Sequence, residues 1–266
     1  MMFQHPLIYI SVLFTTICSG TDHFEIYGGK DAVLGQFPFE VSIQLCDWFT
    51  CEHNCGGSIV APNWIVTAGH CYSNYAKYKV VAGIVSLKDH NENRQELDVI
   101  GHILHEQYRG KAHPNDIALF EVNTSFVFNE WVQPVVLPES HSEITGEGVV
   151  SGWGISSGRL FPHSPDILQY ENAPIIDNIN CMEKLNKILK VSGNTFNVSA
   201  NICSDNVEEN YGICFGDSGG PLVYENKLVG ISSWGILPCA SKKAPSVYTK
   251  VSYYSDWIKN HIASLN

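Results

Sequence analysis

Ser218 stands in the stretch Gly212-Ile213-Cys214-Phe215-Gly216-Asp217-Ser218-Gly219-Gly220-Pro221-Leu222, one hydroxyl between a carboxylate and glycines. A serine hydroxyl attacks a carbonyl effectively only when a base takes its proton and donors hold the resulting oxyanion. Gly216, Gly219 and Gly220 let the backbone turn sharply and let a substrate come close. In such a turn the N–H groups of Gly216 and Ser218 can converge on one oxyanion. Gly-Asp-Ser-Gly alone reads best as a surface turn, but the longer string is much rarer by chance. A base and an orienting acid also occur elsewhere. His70 follows the apolar run Trp64-Ile65-Val66 within Thr67-Ala68-Gly69-His70-Cys71, and Asp116 heads another in Asn115-Asp116-Ile117-Ala118-Leu119. Histidine suits the base because its ordinary pKa, about 6.5, lies near working pH. Singly, His70 reads as a core histidine and Asp116 as a turn residue. Together, in the order His, Asp, Ser, they point to nucleophilic acyl transfer.

With these motifs the chain resembles the chymotrypsin-type, trypsin-like serine endopeptidases. The resemblance runs from Ile26 to about Ile262. It includes Ile26-Tyr27-Gly28-Gly29, Cys55-Gly56-Gly57-Ser58, Ser151-Gly152-Trp153-Gly154, Ser232-Ser233-Trp234-Gly235 and Val247-Tyr248-Thr249-Lys250-Val251, all in the family's order. It implies the family's established roles: Ser218 as nucleophile, His70 as general base, Asp116 as its orienting acid, and Gly216 and Ser218 as the oxyanion hole. Ser233 is expected to support Asp116, and Ser233-Trp234-Gly235 to offer a strand edge to the substrate backbone. A catalytically silent homologue acting as a binding protein is the alternative. Such members normally lose a triad residue, and this chain keeps all three.

These residues need a frame that brings them together. Short β-type runs recur with turn signals between them, among them Val41–Leu45, Trp64–Thr67, Lys79–Gly83, Leu97–Leu104, Ile117–Val122, Pro221–Tyr224, Lys227–Trp234 and Ser246–Val251. Pro62-Asn63 marks a tight turn. This pattern indicates an all-β sandwich or barrel, and periodicity does not choose between them. The resemblance implies two six-stranded antiparallel Greek-key barrels, about residues 26–135 and 136–250, with the active site in the cleft between. Helical spacing predicts one helix after Asp177, an N-cap, with Met182, Leu185, Ile188 and Leu189 on one stripe. It predicts a second at about 252–264, carrying Tyr254, Trp257, Ile258, Ile262 and Leu265.

Residues 1–20 hold an apolar run, Leu7 to Phe14, too short to span a bilayer and followed by Cys18-Ser19-Gly20. They read as a signal peptide, though no Lys or Arg precedes the run. Residues 21–25 read as a short activation propeptide and 26–266 as the peptidase domain, secreted to the extracellular space. The full chain carries 16 basic and 27 acidic residues; Asp22 and Glu25 leave before Ile26, so the mature chain has 16 against 25. That balance gives no electrostatic case for nucleic acid or an anionic membrane. A monomer is expected, meeting protein or peptide substrates, an activating protease and protein inhibitors.

Of the nine cysteines, Cys18 leaves with the signal peptide, and the even remainder in a secreted chain implies disulfides of open connectivity. The resemblance implies Cys55–Cys71, Cys181–Cys203 and Cys214–Cys239. Cys46 and Cys51 remain and are expected to pair across a short loop, a bridge with no counterpart in the family pattern. Asn123-Thr124-Ser125 and Asn197-Val198-Ser199 are sequons for glycosylation at Asn123 and Asn197.

Ile26-Tyr27-Gly28-Gly29 resembles the family's activated N-terminus, with Tyr27 where valine is usual. The resemblance implies a zymogen cut before Ile26, whose freed amine pairs with Asp217 and holds the Ser218 loop in its working shape. Glu25 precedes the cut, so an activator of other than tryptic specificity is expected. Gly212 corresponds to the pocket floor where trypsins carry aspartate, and Gly235 and Ser246 to its walls. With no counter-charge at Gly212, Arg or Lys is disfavoured and large apolar or aromatic side chains are preferred. Ser246 would favour smaller ones, and Lys242 or Lys243, turned inward, acidic ones. Ile84 stands where some relatives have a glutamate that binds calcium. No metal and no cofactor are therefore expected.

Overall fold

A computed structural model of the chain describes residues 29–110, 112–154, 165–190, 196–205, 212–237, 239 and 244–264. The signal and activation segments, Ile26, Lys242, Lys243 and Leu265 lie outside the described residues.

The first half alternates apolar strands with short turns. They are β2 (Glu40–Cys46), β3 (Cys51–Ala61), β4 (Trp64–Thr67), β5 (Lys77–Ala82), β6 (Gln95–Leu104) and β7 (Ala118–Val122), preceded by the two-residue β1 (Lys30–Asp31). Pro62-Asn63 makes the turn between β3 and β4. Strands β2 to β7 close on themselves in the order β2-β3-β4-β7-β6-β5, with β5 pairing back to β2 at Ile43↔Val80. β4 is buried along its whole length, so both its faces are covered, while β6 alternates as a strand with one face toward solvent does. At Gly57 an added Cβ would come within 2.8 Å of Ile65 and 3.0 Å of Ile43, so the strands approach here because a side chain is missing. Ile43, Ile59, Ile65, Val80, Leu119 and Phe120 are fully enclosed and form the centre of this barrel.

The second half gives β8 (Gly146–Gly152), β9 (Gln169–Ile176), β10 (Asn201–Ser204), β11 (Pro221–Tyr224), β12 (Lys227–Trp234) and β13 (Ser246–Lys250). These run β9-β10-β13-β12-β11-β8, and β8 pairs β9 to complete a second six-stranded antiparallel barrel, with β1 added on the outside of β9. Val150, Ile202, Leu222, Val229 and Tyr248 fill it. The sequence expectation of two six-stranded antiparallel barrels and a C-terminal helix therefore holds. β9 and β10 carried no strand signal.

Two helices complete the chain. α1 (Asn178–Leu189) begins where Asp177 Oδ1 accepts the Asn180 N–H at 2.9 Å. Its buried stripe is narrower than expected: Leu185 is enclosed, while Ile188 and Leu189 are exposed. The Cys181–Cys203 bridge and a hydrogen bond from Asn178 Nδ2 to Asn201 O at 3.0 Å attach it to β10. α2 (Val251–Ser264) continues directly from β13, and its buried Val251, Tyr254 and Ile258 join an apolar cluster shared by the first barrel and by Leu228 and Ile231 of β12. A helix set in a cluster that both barrels share ties the halves together. Each such side chain contributes about 1.5–3 kcal/mol. No described helix is long and apolar enough to cross a membrane.

Candidate active site

Asp116 lies just before β7, after Asn115 in a left-handed conformation, and is 1% exposed. Tyr254 of α2 donates to Asn115 Oδ1 at 2.8 Å, so the C-terminal helix sets this turn. One Asp116 oxygen accepts the His70 backbone N–H at 2.9 Å and the other faces His70 Nδ1 at 2.8 Å. The second oxygen also accepts the Ser233 hydroxyl at 2.6 Å, and the Asp116 carbonyl accepts Thr249 Oγ1 at 2.7 Å. Ser233 and Thr249 belong to β12 and β13, so the acid of the first barrel is fixed by the second. An ionised carboxylate only accepts, which puts a proton on His70 Nδ1 and leaves Nε2 as the basic nitrogen. His70 itself sits on a single 3₁₀ turn, Gly69–Cys71.

Ser218 is held through its backbone. Its carbonyl accepts Gly56 N at 2.8 Å, and Gly219 N donates to Ser232 O at 2.8 Å. Gly219 has φ 77°, and a Cβ there would lie 2.1 Å from Thr67 Oγ1 and 2.6 Å from Gly56 O. Only glycine fits, which explains its place beside Ser218. Gly216 has φ 99°. Among the described residues neither Gly216 N nor Ser218 N donates to a protein acceptor, so both are free for an oxyanion. His70 and Ser218 line one pocket of ≈ 340 Å³. They are not hydrogen-bonded to each other; such contacts commonly tighten when substrate seats.

The rest of that pocket is apolar, walled by Ile213, Phe215, Trp234, Ile236 and Leu237, with Ser233 and Gly235 at its edge. Its described lining holds no Asp, Glu, Lys or Arg. Of the expected pocket residues, Ser233, Trp234 and Gly235 are in the wall. Gly212 and Ser246 do not line it. Ser246 lies behind, its hydroxyl accepting Ile213 N at 3.4 Å. Ile213 was not singled out in the sequence and is the side chain that faces the pocket from that end.

Asp217, 1% exposed, does not line the pocket. Its oxygens accept Gly154 N and Cys214 N, each at 2.8 Å. Burial pushes it up to about 7, against those two bonds. A Cβ on Gly152 or Gly154 would fall within 2.3 Å and 2.2 Å of this carboxylate, so the glycines of the Ser151-Gly152-Trp153-Gly154 motif make its room. Two neighbours carried no sequence signal. His53 Nε2 faces the Gly216 carbonyl at 3.0 Å and its Nδ1 faces Ser42 Oγ at 2.8 Å. Glu40, 3% exposed, accepts the Ser151 hydroxyl with one oxygen, while its other is buried without a partner.

The four bridges are Cys46–Cys51, Cys55–Cys71, Cys181–Cys203 and Cys214–Cys239. Cys55, His70 and Cys71 bring donor atoms together, but both sulfurs are committed to one disulfide and offer no thiolate. Ile84 is buried against Trp153 and Leu168. Its loop is braced by Arg94, which donates to Asp89 O and to Glu96, both at 3.0 Å. Asn123 and Asn197 are exposed, and their Oδ1 atoms accept backbone N–H groups.

A family model described as Trypsin matches residues 26–258. Trypsin-1 of Astacus astacus is 37% identical over 243 residues, covering 88% of this chain and 98% of the relative. Lectizyme of Glossina austeni is 38% identical over 250 residues, covering 89% and 86%. Coagulation factor IX of Cavia porcellus is 37% identical over 250 residues, covering 89% and 81%.

Proposed function

The chain belongs to the trypsin family of serine endopeptidases, and from that premise we propose a secreted peptidase that cuts after apolar side chains. Ser218 attacks the peptide carbonyl while His70 Nε2 takes its proton. Gly216 N and Ser218 N hold the oxyanion, and Asp116 stabilises the imidazolium. His70 then protonates the leaving amine, and water repeats the sequence on the acyl-enzyme. The observation that carries this reading is the Asp116–His70 pair set on the wall of the pocket that also holds Ser218.

Preference for large apolar and aromatic side chains rests on the described lining, where Ile213, Trp234, Ile236 and Leu237 offer no counter-charge to a guanidinium. Ile213 limits the depth. Activation by a cut between Glu25 and Ile26 rests on buried Asp217, which no cation among the described residues neutralises. The new amine would do so.

Labelling with a fluorophosphonate probe tests the chemistry. Processed protein should label and the Ser218→Ala variant should not; an unlabelled processed protein makes it a silent homologue. The mature N-terminus should read Ile-Tyr-Gly-Gly, and a peptide library should give the preference directly.

A further inference from the structure

The Cys46–Cys51 hairpin takes no part in the chemistry above. Its bridge closes the turn between β2 and β3. Inside it Asp47 Oδ1 accepts the N–H groups of Phe49 and Thr50, both at 2.7 Å, and Asp47 N donates to Thr50 O at 2.9 Å. This fixed tip presents two aromatic rings to water, Trp48 at 92% exposure and Phe49 at 94%. A third ring, Tyr75 at 99%, precedes β5, which lies beside β2 with Lys77 opposite Cys46. Lys77 Nζ stands 5.6 Å from the Trp48 ring centre. Large rings on a covalently braced support suit an anchor, because the order that binding requires is already built in.

Its position indicates what would bind. From Cys51, β3 runs to His53, which holds Gly216 O, and on to Gly56, which holds Ser218 O. A groove of ≈ 270 Å³ follows this course between Leu45, Asp47, Thr50, Glu52, His53 and Asn54. The apolar pocket is lined by Ile213–Phe215 and Ser233–Leu237 and by no residue of β3. A peptide with one side chain in that pocket therefore crosses Ser218 and departs toward β3. An extended chain advances about 3.3 Å per residue, and β3 runs five residues from Gly56 back to Cys51, so roughly the fourth to sixth residues past the scissile bond come level with the tip.

We propose that Trp48 and Phe49, held by the Cys46–Cys51 bridge, anchor an apolar side chain of the polypeptide substrate on the leaving-group side of the scissile bond. This rests on the peptidase reading above.

The test compares two peptides with the pocket residue preferred in the library. One ends at the second residue past the scissile bond. The other runs four residues further, with leucine or phenylalanine scanned through the extension. The extended peptide should gain about tenfold in kcat/KM, and the Trp48→Ala/Phe49→Ala double variant should lose that gain. An extended-to-short ratio unchanged in the variant overturns the proposal. Calorimetric binding of both peptides to Ser218→Ala protein repeats the comparison without turnover. Tip-dependent binding without hydrolysis by the parent sinks the peptidase reading and leaves the anchor standing; hydrolysis without tip dependence sinks the anchor alone. Tip-dependent adsorption to phosphatidylcholine vesicles with no effect on peptides also overturns it.

Discussion

Asp116 grips His70 at two points, accepting its backbone N–H at 2.9 Å with one oxygen and its Nδ1 at 2.8 Å with the other. The first bond fixes where the residue sits and the second fixes which ring nitrogen keeps the proton. Ser233 adds a third donor at 2.6 Å. A carboxylate satisfies all three, whereas an amide must set its NH₂ against a donor or force the ring into the other tautomer. Asp116→Asn should therefore lower kcat by about 10⁴-fold with a small change in KM, read on a chromogenic ester. A loss under tenfold would remove Asp116 from the mechanism.

Ile213 faces the pocket opposite Gly235, where an added Cβ would meet it at 3.9 Å. Ile213→Gly should deepen the pocket without unpairing a polar group. The kcat/KM ratio of tyrosine to leucine substrates should rise about tenfold, the scale of hydrophobic pocket discrimination. An unchanged ratio would place the limit of depth elsewhere.

The motifs around His70, Asp116 and Ser218 were legible because each sits in a run whose backbone demands are severe. Gly219 tolerates no Cβ, and such demands leave a long local signature. Ile213, His53 and Glu40 leave none. His53 meets Gly216 across 163 positions and Glu40 meets Ser151 across 111, single contacts with no local pattern. Barrel closure was equally silent, since it is the pairing of β8 with β9 and of β2 with β5, which period-two alternation does not encode. The barrels were read from the family resemblance. β9 escaped because polar Glu171-Asn172 and Pro174 interrupt it, and β10 because four residues are too few for periodicity.

The Ile84–Glu96 loop is held by a cation of its own. Arg94, whose side chain is largely enclosed, bonds Asp89 O and Glu96. A chelator should leave both activity and melting temperature unchanged, while Arg94→Ala should lower the melting temperature by a few degrees, a loss of about 1–2 kcal/mol. Loss of activity in chelator that calcium restores would refute this.

Glu40 gives stability a pH slope. Burial pushes its carboxyl from 4.5 up to about 8; the bond from Ser151 opposes this and the charge of Asp217 adds to it. The unfolded chain gives up that proton near 4.5 while the folded chain keeps it to about 8. Unfolding therefore releases a proton in between, and stability falls as pH rises through that window, by at most about 1.4 kcal/mol per pH unit. Glu40→Gln keeps an acceptor for Ser151 and cannot ionise. Its advantage over the parent in melting temperature should grow from pH 5 to 8 and then level off. A difference independent of pH would show that Glu40 does not titrate in this window.

His53 fastens the Gly216 carbonyl of the Ser218 loop. A carbonyl only accepts, so Nε2 carries the proton given to Gly216 O and Nδ1 accepts from Ser42. Burial holds the ring down to about 4, against the Gly216 bond, so it stays neutral at working pH. His53→Phe keeps the packing on Trp153, 5.5 Å away between ring centres, but frees the Gly216 carbonyl. The peptide between Gly216 and Asp217 can then rotate and disturb the neighbouring donor. kcat should fall about 10–100-fold, less than the full loss of an oxyanion donor, with little change in KM. His53→Gln, which retains a donor, should recover part of it. The unfolded histidine binds its proton near 6.5 and the folded one near 4, so acidification through that window favours unfolding of the parent. The Phe variant should lack that share of the acid sensitivity. Equal kcat in parent and variant would show that the Gly216 carbonyl needs no such tether.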